Sequence, residues 1–443
     1  MSKRSRRRPL PAPATDVSIE SLAHDGRGVT HLDGKAVFVD GALPGEVVSF
    51  EYTTSRRKFD EGRVTAVQTA SPDRVEPRCA HFGVCGGCSL QHLEPAAQIQ
   101  AKQQTLLDKL RHIGKVAPED VLPPVTGPVW GYRTKARLGV KDVIKKGRVL
   151  VGFREKRSPY VADLSRCEVL HPAVGERLGE LSGLVERLEG RARIPQIEVA
   201  VTDGVVALVF RHLDPLTEHD RVVLKQYATE QGVHVYLQPG GPDTLQVLWP
   251  EKSVLSYTLA SESVVIEFQP TDFTQVNTAI NGQMVARVLE MLSLVETDTV
   301  LDLFCGLGNF TLPLARHAGS VTGVEGDAGL VSRARDNAAL NGLDNSAFHV
   351  ANLAEPNTDA AWAGGGYNKV MLDPPRSGAA GVMPLLGNIH PQRIVYVSCQ
   401  PGSLARDAGT LVNELGYRLL SAGVMDMFPH TAHVESIALF EAA

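Results

Sequence analysis

The sequence predicts a multidomain chain in which a small β-barrel and a β-rich middle precede a doubly wound α/β domain. Three observations predict it. Short β-like runs broken by Gly, Asp and Pro turns fill residues 15–69, strand-forming residues dominate 130–268, and from Val300 buried strands alternate with helical segments. A chain of 443 residues is long enough for about two to three such domains. No apolar run approaches the roughly 20 residues of a membrane span, and no secretory signal opens the chain, so a cytoplasmic protein is expected.

The barrel is read from runs at 17–19, 36–39, 46–52 and 62–67. Asp25-Gly26-Arg27-Gly28-Val29 and Phe38-Val39-Asp40-Gly41-Ala42-Leu43-Pro44-Gly45-Glu46 resemble the TRAM domain, an OB-like RNA-binding module. Its loop Arg56-Arg57-Lys58, near Tyr52 and Phe59, combines charge with stacking surface. A formal net charge of -5 argues against a uniformly polyanion-binding surface, so the local patches matter. The tail Lys3, Arg4, Arg6, Arg7, Arg8 carries no acid and reads as disordered over residues 1–14.

Residues 71–270 read as the second domain. Cys79, Cys85 and Cys88 follow a C-x5-C-x2-C pattern, with Cys167 far downstream. Zinc ribbons repeat C-x2-C twice, which this chain does not. Gly83, Gly86 and Gly87 allow the backbone to wrap an inorganic core and aim N–H groups at its sulfurs, which favours a [4Fe–4S] cluster. Cys167 is its fourth ligand by elimination. Residues 94–113 carry apolar positions at helical spacing. Between Arg133 and Arg157 ten basic residues face two acidic ones, the signature of a phosphate-binding strand pair. One helix, near 175–188, interrupts the strands that follow.

Residues 271–443 form the last domain. Val300-Leu301-Asp302-Leu303-Phe304 is a buried strand, Cys305-Gly306-Leu307-Gly308-Asn309 a glycine loop, and 310–318 its helix. Such a loop suits NAD, a nucleotide or S-adenosylmethionine. Phe310 stands where a dinucleotide site wants its third glycine, and Glu325 ends the next strand, placed for ribose hydroxyls. Asn352 follows the third strand and Asp373 the fourth. The apolar run 394–397 then stops at Ser398-Cys399-Gln400-Pro401, setting Cys399 at a strand's carboxyl end, where ligands bind in open α/β sheets.

Taken with Asp373-Pro374-Pro375-Arg376-Ser377-Gly378, Phe428-Pro429-His430-Thr431-Ala432-His433-Val434-Glu435-Ser436 and Phe273-Thr274-Gln275-Val276-Asn277, these motifs resemble the uracil-C5 RNA methyltransferase family along essentially the whole chain. Methyltransferases acting on exocyclic amines usually carry an aromatic residue where Arg376 stands, and cytosine-C5 enzymes a second cysteine in that loop.

The resemblance implies a Rossmann-like class I methyltransferase domain in which Gln275, Phe304, Asn309, Glu325, Asn352 and Asp373 hold S-adenosylmethionine. It makes Cys399 the nucleophile and Glu435 the base. TRAM motif and cysteine set together resemble the family's large-subunit branch, which implies methylation of 23S ribosomal RNA at the uracil-1939 equivalent by a monomer. The alternatives are another rRNA or tRNA uracil, or a non-catalytic iron–sulfur RNA-binding protein. Phe273 is expected to stack on the target base, and His430 and His433 to be structural or to touch RNA.

Overall fold

A computed structural model of the chain describes residues 9–355 and 359–443; the cations expected at Lys3, Arg4, Arg6, Arg7 and Arg8 lie outside the described residues. The chain divides into two compact units, Met1–Lys102 with Phe428–His433, and Gln103–Met427 with Val434–Ala443.

In the first unit, β1 (Ala14–Ser18), β2 (Ser21–Leu22), β3 (Gly28–Leu32), β4 (Lys35–Asp40), β5 (Val47–Ser55) and β6 (Phe59–Thr69) form one sheet in the order β1-β5-β6-β4-β3-β2. Its core is the inward face of that alternation, with Val17, Val37, Val39, Val48 and Phe50 buried. Strand β3 was not foreseen. It starts at a glycine, a poor strand former, because a Cβ there would stand 2.8 Å from Ile19 and 2.9 Å from Ala42. Glu46 is fully buried and pins the turn before β5, accepting from Leu43 N at 2.8 Å, Ser71 N at 3.2 Å and Arg74 Nε at 2.5 Å. These donors hold its carboxyl below the usual range against the opposing pull of burial.

The 94–113 stretch is helical as expected, α1 (Pro95–Lys109) running into a π-turn over Leu110–Gly114. In the second unit, β7 (Asp120–Val121) joins the last sheet. The middle sheet takes β8 (Lys135–Val143), β9 (Arg148–Gly152), β10 (Gln196–Val201), β11 (Val206–Arg211), β12 (His234–Gln238) and β13 (Gln246–Trp249), in the order β13-β12-β11-β10-β8-β9. Helices α2 (Pro172–Gly175) and α3 (Leu178–Glu186) occupy the expected helical stretch, but α4 (Glu218–Gln231) is a second helix where only one was expected.

Hairpin β14 (Leu255–Leu259) and β15 (Val264–Phe268) leads to α5 (Thr278–Leu292) and the α/β sheet. That sheet contains β16 (Thr299–Leu303), β17 (Ser320–Glu325), β18 (Ser346–Val350), β19 (Lys369–Leu372), β20 (Arg393–Ser398), β21 (Tyr417–Met425) and β22 (Glu435–Ala442). Its order is β18-β17-β16-β19-β20-β22-β21-β7, parallel from β18 to β20, with β22 antiparallel to both its neighbours. The helix after the glycine loop is shorter than the expected 310–318: α6 covers Thr311–Ala315, because the chain must turn at Gly319, whose N–H bonds Asp298 O at 2.9 Å. Helices α7 (Ala328–Leu340), α8 (Met383–Ile389) and α9 (Pro401–Asn413) complete the unit. No helix among the described residues is long and apolar enough to cross a membrane.

Candidate active site

Parallel strands end on one edge, and the sheet order reverses at β16, which lies between β17 and β19. Phe304, Glu325, Asn352, Asp373 and Cys399 all sit at or just beyond the carboxyl ends of these strands. Glu435 reaches the same edge by opening β22, which runs the other way. The last assigned pair of β20 with β22 is Ser398 with Ser436, and Ser436 Oγ donates to Ser398 O at 2.9 Å. Cys399 and Glu435 are each one step beyond that pair, so the register makes them neighbours although 428–433 belong to the other unit.

The glycine loop is held by its acids and amides. Phe304 takes a left-handed φ of 67°, which turns the chain out of β16 while its N–H bonds Val324 O at 2.9 Å. Glu325 accepts from Gly306 N at 3.2 Å and Gly326 N at 2.7 Å, tying the end of β17 to the loop. Asn309 exchanges amide hydrogen bonds with Asn281 at 2.9 and 3.0 Å and accepts from Tyr257 Oη at 2.9 Å. Asn281 on α5 and Tyr257 on β14 escaped the sequence reading, since an Asn in an amphipathic helix and a Tyr in a strand carry no signal of their own. Asn352 Oδ1 accepts from Ala354 N at 3.0 Å. Gln275 is half-buried in a segment anchored by Val276 O, which takes Thr134 N at 2.9 Å and Oγ1 at 3.0 Å.

Asp302, fully buried beneath the loop, was read only as part of a strand. Its Oδ2 accepts from Thr311 Oγ1 at 2.5 Å and its Oδ1 has no partner. Burial pushes its pKa up to about 7, helped by the charges of Asp373 and Glu325, with the Thr311 bond opposing. Burial likewise pushes Asp373 to about 7. Cys305 packs under the same loop, a Cβ on Gly323 standing only 3.0 Å from its sulfur, and burial drives its thiol far up, which marks it as inert.

Further along this edge, Cys399 is half-buried between β20 and the start of α9. Burial raises its thiol pKa, and Glu435 and Asp373 raise it further; Arg376 opposes them through its charge and a hydrogen bond to the sulfur. Arg376 therefore faces the thiol. Glu435 is buried, and burial first, then Asp373, raises its carboxyl well above the usual range. The Arg376 loop is itself fastened: Asp407 Oδ2 accepts from Ala379 N and Tyr396 Oη, both at 2.7 Å, and Arg406 Nη2 donates to Ser377 O at 2.9 Å.

Phe273 is 71% exposed, so it is no core residue. The expected basic strand pair exists as the antiparallel β8–β9 hairpin, but not all its cations are available. Arg137 pairs with Glu198 at 2.9 Å, Lys146 and Arg148 both pair with Asp163, and Lys135 is buried enough that its pKa falls to about 8. Lys141, Lys145, Arg154 and Arg157 stay exposed. In the first unit His430 is buried and its Nδ1 accepts from Gln98 Nε2 at 3.1 Å, and His433 stacks obliquely on Phe428.

Cys79, Cys85 and Cys88 are half-buried in the first unit and Cys167 in the second. Gly87 N–H points at Cys85 Sγ at 3.4 Å, and Gly83 adopts a φ of +88° in the loop between them. Among the described residues no group of three or more His, Cys, Asp or Glu side chains is gathered as a metal site.

Residues 189–443 match the family model of tRNA (Uracil-5-)-methyltransferase, and residues 15–73 match the TRAM domain. The chain is 56% identical over 442 residues to the 23S rRNA (uracil(1939)-C(5))-methyltransferase RlmD of Methylococcus capsulatus, covering 100% of both. It is 56% identical to the protein of the same description from Nitrosococcus oceani, with 100% of this chain and 99% of that one covered. Among solved structures it resembles the Pyrococcus abyssi tRNA (uracil-54, C5)-methyltransferase in complex with S-adenosyl-L-homocysteine, at a TM-score of 0.73 and 25% identity, covering 97% of this chain and 100% of that one.

Proposed function

This chain belongs to the tRNA (uracil-5-)-methyltransferase family, and from that premise we propose that it methylates C5 of a uracil in 23S ribosomal RNA, at the position equivalent to 1939, using S-adenosylmethionine. The observation that carries the reading is the convergence of Cys399, Glu435 and Asp373 on the sheet edge that also bears the glycine loop. It acts as a monomer in the cytoplasm.

Carbon 5 of uracil is a weak nucleophile, and covalent catalysis removes that obstacle. The Cys399 thiolate forms a bond from Sγ to C6, and the electron pair of the 5,6 double bond moves onto C5 and the O4 carbonyl as an enolate. S-adenosylmethionine, when bound, would supply the methyl group that C5 takes up, its sulfur keeping the electron pair of the broken S–CH3 bond and leaving as the thioether; Gln275, Phe304, Asn309, Glu325, Asn352 and Asp373 are the residues to hold it. Glu435 then takes the C5 proton, and the released pair restores the double bond as the C6–S bond breaks. Its raised pKa makes Glu435 a stronger base than an exposed carboxylate. Arg376 stabilises the thiolate against the burial and like charges that oppose it.

The thiol set Cys79, Cys85, Cys88 and Cys167 is proposed to hold a [4Fe–4S] cluster. The Gly87 N–H directed at Cys85 Sγ suits a sulfur that bears negative charge, and the cluster's part is structural, with no step of the methylation passing through it.

The test is transfer from methyl-labelled S-adenosylmethionine to an unmodified 23S RNA fragment and to unmodified tRNA. Label is expected in the 23S fragment, Cys399→Ala is expected to abolish it, and Glu435→Gln to trap a protein–RNA adduct that survives denaturing gels. Label in neither RNA sinks the activity, label in tRNA alone moves the substrate, and free product release by Glu435→Gln removes that residue as the base.

A further inference from the structure

The segment Phe428–His433 leads into the proposed base: Glu435 follows His433 by two residues and opens β22, paired with Met425 of β21. As the first residue of its strand, Glu435 has ladder support on one side only. On the other side the chain is held by groups of the first unit. His430 is buried and adopts a φ of 64°, a left-handed conformation that a non-glycine residue keeps only where its surroundings enforce it. The enforcement comes from both of its backbone groups. Its N–H donates to Gln98 Oε1 at 2.8 Å, and its carbonyl accepts from Ser89 N at 2.9 Å and Leu90 N at 3.0 Å. Nearby, Ala432 N donates to Ser89 Oγ at 3.0 Å, and Phe428 O accepts from Lys102 Nζ at 3.0 Å.

Gln98 is the centre of this clamp. It is fully buried on α1, and its Nε2 lies 3.0 Å from Leu90 O, 2.7 Å from Leu93 O and 3.1 Å from His430 Nδ1. One amide thus ties the turn that carries Ser89 to the loop that precedes Glu435, and Ala432 packs on the apolar cluster of Leu43, Leu90 and Leu93. A buried amide satisfied at both ends adds little net stability but fixes one geometry.

We propose that Gln98 and Ser89 are positioning residues for the base step: by fixing His430 and Ala432 they hold the Glu435 carboxylate within reach of the C5 proton, and they take no part in addition of Cys399 or in methyl transfer. In the base step the C5 proton passes to the Glu435 carboxylate, the C5–H electron pair forms the 5,6 double bond, and the C6–Sγ pair returns to sulfur. A general base must stand within about 3 Å of the proton it takes. Ala432 and Glu435 are at most about 11 Å apart along the chain, so a loop that relaxes by about an ångström is felt at the carboxylate.

The inference rests on the proposed role of Glu435, and the experiment separates the two. The whole chain, labelled S-adenosylmethionine and an unmodified 23S RNA fragment are mixed and quenched in denaturant over time, so that covalent protein–RNA adduct and released methylated RNA are counted separately. Gln98→Met keeps the length of the side chain without its amide, and Ser89→Ala removes the hydroxyl that Ala432 N uses. Both are expected to accumulate adduct and to release product about tenfold more slowly than wild type. A fragment with 5-fluorouracil at the target has no C5 proton to remove, and on it both variants are expected to form adduct at the wild-type rate. Ser89→Thr, which keeps the hydroxyl, is expected to release product as wild type does. Unchanged S-adenosylhomocysteine affinity checks that the variants are folded. An adduct rate on the 5-fluorouracil fragment that falls as far as product release, or wild-type release from both variants while Glu435→Gln traps adduct, overturns the clamp and leaves Glu435 as the base. Free product release by Glu435→Gln in the same assay overturns the base assignment, and the clamp's role with it.

Discussion

At the scale of single residues, the site is a contest of charges around one sulfur. Burial first, then Glu435 and Asp373, push the Cys399 thiol pKa up, and Arg376 alone among these neighbours favours the thiolate. Removing that cation raises the folded-state pKa further, so less thiolate is present at any given pH. Single-turnover transfer is accordingly expected to rise with pH in wild type, and Arg376→Met to shift the profile upward by about one unit, a loss of roughly tenfold at pH 7. An unshifted profile with a uniformly lower rate assigns Arg376 to RNA contact instead. The sequence carried Cys399 because it ends an apolar run. Glu435 was legible only through a motif shared with a family, since a lone Glu at a strand's start resembles any surface acid. Asp302, Asn281 and Tyr257 were not legible, because their significance lies in partners 9 to 52 positions away.

At the scale of elements, α9 begins at Pro401, two residues after Cys399, and packs against the π-turn Leu110–Gly114. The approach needs two glycines: a Cβ on Gly114 would stand 2.3 Å from Ala405 O, and one on Gly409 2.9 Å from Gly114 O. Gly409→Val is expected to cost about 1–3 kcal/mol, read as a fall in thermal midpoint of several degrees, and to lower kcat by displacing the helix that follows Cys399. The unforeseen α4 teaches a different lesson. Its interior is mostly polar, so periodicity missed it, yet its ends were marked in the sequence. Thr217 Oγ1 accepts from Asp220 N at 3.2 Å, Asp220 Oδ2 accepts from Thr217 N at 3.3 Å, and Gly232 closes the helix at a φ of 63°. Thr217→Ala is expected to destabilise by about 1 kcal/mol in denaturant unfolding, with RNA methylation at saturating substrate unchanged.

At the scale of the whole molecule, the cysteine set is divided between two units in the chain's own folding, three thiols in the first and Cys167 in the second. Anaerobic purification is expected to yield brown protein with about four irons per chain, and Cys167→Ser to lose iron and lower the thermal midpoint; colourless protein containing zinc overturns the cluster. The local rules that set strands, turns and caps are short-ranged, so the sequence by itself determined the β-rich N-terminal part, the alternation of the last domain, and which residues end its strands. Tertiary structure alone decided what those residues meet. A reversed last strand brings Glu435 to Cys399, buried carboxylates crowd the glycine loop, and ion pairs withdraw part of the β8–β9 charge. Strand register, desolvation and pairing depend on groups brought together from distant parts of the chain, and no local pattern encodes them.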